Sequence, residues 1–154
     1  MDTKRFIIGT LVGGITLYLV GYLIWTVAFA DFFAANAGSA TGVDRDAQLV
    51  WAVVLGNLSL AALVTLAVGS KAGSATIGTG FKIGAIVGFL VWFGVDFIHY
   101  GISNISNLTA TVVDPLLELV HSGIGGAVIA AVLGRGAAPG PQEAAESEPS
   151  DLLQ

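Results

Sequence analysis

Two acid-x-x-His pairs stand in a chain with very few other charges. Asp96 precedes His99 in "VDFIHYGISN", and Glu118 precedes His121 in "LLELVHSGIG". On a helix, a spacing of three puts the carboxyl and the imidazole on one face. Such pairs can do four things. Glu-x-x-His from two helices, with carboxylates from two more, builds di-metal centres in helical bundles, and Asp31 is the residue placed to complete a set with Asp96, His99, Glu118 and His121. Two neutral imidazoles on facing helices, His99 and His121, are a sufficient ligand pair for haem. Carboxylates and imidazoles in series can also pass protons or cations. Finally, each pair can be a hydrogen-bonded structural element where membrane meets water, the reading this sequence favours. No cofactor is therefore the first expectation, with haem or a divalent metal as the alternative.

The elements that carry these pairs follow from composition. Of 154 residues, 55% are hydrophobic and 11% charged, and the mean hydropathy is +0.83. Soluble domains carry about 25% charged residues, so this chain has too little charge to cover a globule. It reads as an all-α integral membrane protein whose first partner is the lipid bilayer. There is no cysteine, and Met1 is the single methionine. Thiolate chemistry, disulfides and methionine-ligated haem or copper are thereby excluded. No phosphate-cradling loop, basic nucleic-acid stripe or Ser-His-Asp set is visible, so neither an enzyme nor a nucleic-acid partner is expected.

Four segments are long enough to cross a hydrocarbon core of about 30 Å: roughly 6–30, 49–69, 81–100 and 115–133. Asp114-Pro115 reads as an N-cap followed by proline at the first helical position. On this boundary Glu118 lies one turn, and His121 nearly two turns, below the head of the last span. Lys4, Arg5, Lys71, Lys82 and Arg135 fall on one side, against Arg45 on the other. That bias puts both termini in the cytoplasm of a multi-pass inner (plasma) membrane protein. "AFA" at Ala28–Ala30 resembles a signal-peptide cleavage site, but the apolar run before it is too long for one. Tyr18, Tyr22 and Trp25 read as interfacial anchors of a retained span. Residues 136–154, rich in Pro, Ala and Glu, read as a disordered acidic cytoplasmic tail.

"FIIGTLVG" (6–13) and "FKIGAIVG" (81–88) share five residues in register, and "GNLSLAAL" (56–63) and "GGAVIAAV" (125–132) align more weakly. A duplicated two-helix hairpin is expected. Gly80, Gly84 and Gly88 form a small-residue stripe that lets helix backbones approach closely, within the bundle or between copies. Asn57, alone and polar inside span two, is expected to make an interhelical hydrogen bond. Asn104 and Asn107 each begin an Asn-x-Ser/Thr triplet, a glycosylation pattern equally expected of a polar turn.

The run "YGISNISNLTATVVDPLLELVHSGIGGAV" from Tyr100 resembles small bacterial four-helix inner-membrane proteins of a domain-of-unknown-function family, on Tyr100, Asn104, Asn107, Leu108, Thr109, Thr111 and Asp114. The resemblance implies a fold and a compartment but no activity, and it does not call for His99 or His121. It points to Tyr100, Asn104, Asn107 and Asp114 as a hydrogen-bonded polar cap at the outer end. The function expected is a non-enzymatic scaffold or accessory subunit, assembled with itself or with other membrane subunits. The alternatives are a small transporter or channel with an outer acidic cation path, or a metal or haem protein using His99 and His121.

Overall fold

The computed structural model describes residues 1–70 and 76–134. Lys71, Arg135 and the acidic tail lie outside the described residues. Among the described residues, four helices are long and apolar enough to cross a membrane, so the chain is an all-α integral membrane protein. Helix α1 (Thr3–Gly21) runs on through a π-helical segment, Tyr22–Ala28. The short α2 (Ala30–Ala35) follows, then α3 (Val50–Gly69), α4 (Ile77–Ile102) and α5 (Leu108–Gly134).

α5 is the central helix. It packs against α4, α1 and α3, and Ala110, Glu118, His121, Ser122, Gly126 and Ile129 are among its many buried residues. The other long helices bury four residues each and turn broad apolar faces outward, as lipid-facing helices do.

Glycine sets the spacing. A Cβ built on Gly80 would collide with the Gly126 carbonyl, and one on Gly84 with the Ser122 carbonyl. One on Gly88 would collide with the Ser122 hydroxyl. The Gly80–Gly84–Gly88 stripe is therefore the intramolecular seam between α4 and α5. In α1, Gly9 and Gly13 take the same part: an added Cβ would come within 2.6 Å of Thr65 Cγ2 and 3.2 Å of Ala61 Cβ on α3. Both hairpins thus pack through equivalent glycines of the repeated motif. Their partners, Thr65 and Ala61 in one hairpin and Gly126 and Ser122 in the other, set a register eight residues away from the 56–63/125–132 alignment.

Polar contacts close both ends. Asp2 caps α1 by accepting from the Arg5 backbone N–H (2.8 Å), a bond that holds its carboxyl below the ordinary carboxylate pKa. The Arg5 guanidinium donates to the Leu133 carbonyl, where a cation complements the negative end of α5. At the opposite end the two loops pair across the bundle. Gly38 N–H donates to the Ile105 carbonyl (2.8 Å), Ala40 N–H to Asn104 (3.0 Å) and Asn107 N–H to Asn36 (3.1 Å).

The start of α5 corrects the sequence reading. The helix begins at Leu108, with Asn107 Oδ1 accepting from the Ala110 N–H (3.0 Å), and Pro115 sits inside it. Proline interrupts soluble helices, but membrane helices tolerate it where neighbours re-satisfy the backbone. The Asn107 amide also reaches Asn36 Oδ1 (3.1 Å). Asn107→Ala is expected to cost about 1–2 kcal/mol, the loss of a cap plus a loop tie, read as a lower unfolding temperature in detergent.

Candidate membrane-embedded acid–histidine site

Moving the helix start outward moves the site inward. His121 is the middle residue of the 27 in α5, so at 1.5 Å per residue it lies about 20 Å from either end. Glu118 is about 15 Å from the Leu108 end by the same rise. Both are buried, at 2% and 4% exposure for Glu118 and His121. The pair is therefore near the middle of α5, seven residues further from its start than a helix beginning at Pro115 gives.

Its environment is built by close approach. The Leu17 carbonyl on α1 lies 2.8 Å from His121 Nε2. A Cβ on Gly21 would come within 3.2 Å of that nitrogen, and one on Gly88 within 3.2 Å of Glu118 Oε2. Two glycines on opposite sides thus admit the pair between α1 and α4. His121 Nδ1 is 2.9 Å from Glu118 Oε2, and the Ser122 hydroxyl donates to the same oxygen (2.6 Å). The Trp25 ring stands edge-on to His121, with centroids 4.9 Å apart.

This geometry restricts the protons. A carbonyl oxygen only accepts, so His121 Nε2 carries a hydrogen. Nδ1 and Glu118 Oε2 then hold one proton between them. The pair is either imidazolium with carboxylate or imidazole with carboxylic acid, and both forms are neutral overall. No third partner is required to keep Glu118 buried.

Two further carboxyl groups stand beside it. Asp114 Oδ1 accepts from the Trp25 indole N–H, and the Asp96 carboxyl lies against that of Asp114. Asp96 Oδ2 and Trp92 Nε1, one turn apart on α4, are both buried without a hydrogen-bond partner among the described residues. A cavity of about 340 Å³ opens onto the group, lined by Tyr18, Tyr22, Trp25, Trp92, Gln48, Asn57, Asp114, Glu118 and His121.

Several expectations change here. His99 is exposed near the C-terminal end of α4, whereas both ring nitrogens of His121 are already engaged. Asp31 is exposed in α2, and no group of three or more His, Asp or Glu residues among the described residues is placed to hold a metal ion. Asp96 turns to Asp114 and not to His99, so the two acid-x-x-His pairs are not equivalent. Of the expected polar cap, Asn104 and Asn107 take part, Tyr100 is exposed, and Asp114 belongs to the inner site. Asn57 donates to the Val53 carbonyl of its own helix (2.9 Å) and lines the cavity.

Trp25 was legible only as an interfacial anchor. The π-helical segment that aims it inward has no sequence mark, although such segments recur at functional sites. The chain matches no family model, and no curated protein or solved structure is significantly similar to it.

Proposed function

We propose that the protein is a small transporter or channel-like membrane protein that passes protons or cations through the Glu118–His121 pair, reached from the outer cavity. The observation that carries this reading is the position of a buried, proton-sharing acid–histidine pair at the middle of the central helix. Ionisable groups are costly inside a membrane, and where they occur they mark ion and proton paths. A purely structural tie at this depth would be made more cheaply by apolar packing. Both termini face the cytoplasm in this reading, which rests on the Lys and Arg bias.

Reconstituted vesicles loaded with a pH-sensitive dye test it. The wild-type protein is expected to collapse an imposed proton or cation gradient. Glu118→Gln, which keeps the shape and a bond to His121 but cannot exchange the proton, is expected to slow collapse to the rate of protein-free vesicles. Equal rates for wild type and variant would sink the proposal.

A second reading, a scaffold or accessory subunit, draws on a different surface. A Cβ added at Gly56, Gly94 or Gly101 would meet nothing within 4 Å, so these small residues face outward unpacked. Close approach by another helix would use them. Native mass of the solubilised complex tests this reading, and a lone monomer counts against it.

A further inference from the structure

The outer cavity carries more chemistry than a proton path needs. Its walls combine two indoles, Trp25 and Trp92, and two phenols, Tyr18 and Tyr22, with the carboxyl groups of Asp114 and Glu118 and the amides of Gln48 and Asn57. Its volume of about 340 Å³ is at the small end of ligand pockets. The geometry points to a binding site for a small organic ammonium ion, caged by the aromatic rings and neutralised by Asp114. This inference rests on the proposed function and names the class of solute that the same site takes.

Charge decides the class. With Glu118 and His121 sharing one proton, that pair is neutral, and the remaining negative charge belongs to Asp114 and Asp96. No lysine or arginine lines the cavity. Of the two basic residues nearest in the sequence to its walls, Arg45 lies in the exposed outer loop and Lys82 two turns or more along α4 from Trp92. An anion would meet uncompensated repulsion here, and a neutral solute would leave the carboxyl charge unmet. A cation answers it, and ring faces add attraction that strengthens as water is excluded. An alkylammonium suits the cavity better than a bare metal ion. The walls are mostly apolar, with four Trp and Tyr rings among them, and no three carboxyl or imidazole groups among the described residues are placed to hold a metal ion. The unpartnered Trp92 N–H and Asp96 Oδ2 leave a donor and an acceptor beside it for a hydroxyl or a water on the bound molecule.

The solute then competes with protons for one set of charges. The titratable groups that face Asp114 are Asp96 from α4, Glu118 and His121 from α5, and Tyr18 and Tyr22 from α1 and its π-helical extension. From α3 and the loop before it come only the neutral Asn57 and Gln48. Lowering the pH protonates carboxylates and weakens cation binding, so solute and proton exclude one another.

The test is a fluorescence titration of the full chain in detergent with choline chloride, and with 3,3-dimethyl-1-butanol as its uncharged carbon isostere. Choline is expected to change the tryptophan emission saturably, because Trp25 and Trp92 line the site, and the isostere is not. Asp114→Asn is expected to weaken choline binding by about thirtyfold or more. On the unaltered protein, the apparent affinity for choline falls as pH is lowered. Equal binding of choline and its isostere, or choline affinity that does not change with pH, would overturn the inference. Proton flux without choline binding overturns this inference and leaves the proposed function standing; choline binding without flux does the reverse.

Discussion

His121→Leu should leave a protein that fails to hold its fold in detergent, losing about 3–5 kcal/mol of stability. That is the general cost of removing one partner from a buried pair and stranding the other. Here Glu118, at 2% exposure, would keep only the Ser122 hydroxyl, and the Leu17 carbonyl would lose its added donor. Glu118→Gln is the informative contrast. With its amide nitrogen in the place of Oε2 it can donate one hydrogen to His121 Nδ1 and the other to the Ser122 hydroxyl oxygen, so its unfolding temperature should stay within a few degrees of wild type. Thermal unfolding followed by circular dichroism separates the two. If His121→Leu melts with the wild type, the pair is not buried as described.

Gly84→Ala should be among the most damaging single methyl groups along the α4–α5 seam. The added Cβ would overlap the Ser122 carbonyl and approach Gly126 Cα within 3.0 Å. Both are backbone atoms of the central helix, so no side-chain rotation relieves the clash, and α4 must move bodily away from α5. Overpacking typically costs about 1–3 kcal/mol, and a backbone collision belongs at or above the top of that range. The displacement also opens the wall behind Glu118 and Ser122, so flux should fall with stability. Gly94→Ala on the same helix meets open space and, since alanine is the better helix former by about 1 kcal/mol, should leave stability unchanged or raise it. Parallel thermal melts of the two variants check the contrast.

The number and type of spans were legible because apolar runs of twenty residues admit few other structures. The Gly80, Gly84 and Gly88 stripe was legible too, since small residues every fourth position on a helix mark close approach. Its partner was not, because spacing says which face is smooth and not what lies against it. The depth of the site was misread for a local reason. Asp114-Pro115 carries the signature of a helix start, while the actual start at Asn107 lies seven residues earlier with a cap of its own. Two pairs of identical spacing, Asp96/His99 and Glu118/His121, also diverge for non-local reasons. One histidine meets the Leu17 carbonyl from a helix a hundred residues away, and the other is exposed near the C-terminal end of α4. Trp25 shows the same limit, since its bond to Asp114 depends on a π-helical turn that propensity does not mark.

The ties between α1 and α5 set a timetable for assembly. The Arg5–Leu133 and Leu17–His121 bonds span 128 and 104 residues of chain. At about 5–20 residues per second of synthesis, the first helix waits on the order of ten seconds before its partner exists. During that interval α3 is the neighbour available to α1, and the Gly9–Thr65 and Gly13–Ala61 contacts are what hold it in place. The mid-membrane site therefore comes into being only with the last helix, and a chain stalled before that point has three spans in the bilayer and no Glu118–His121 pair.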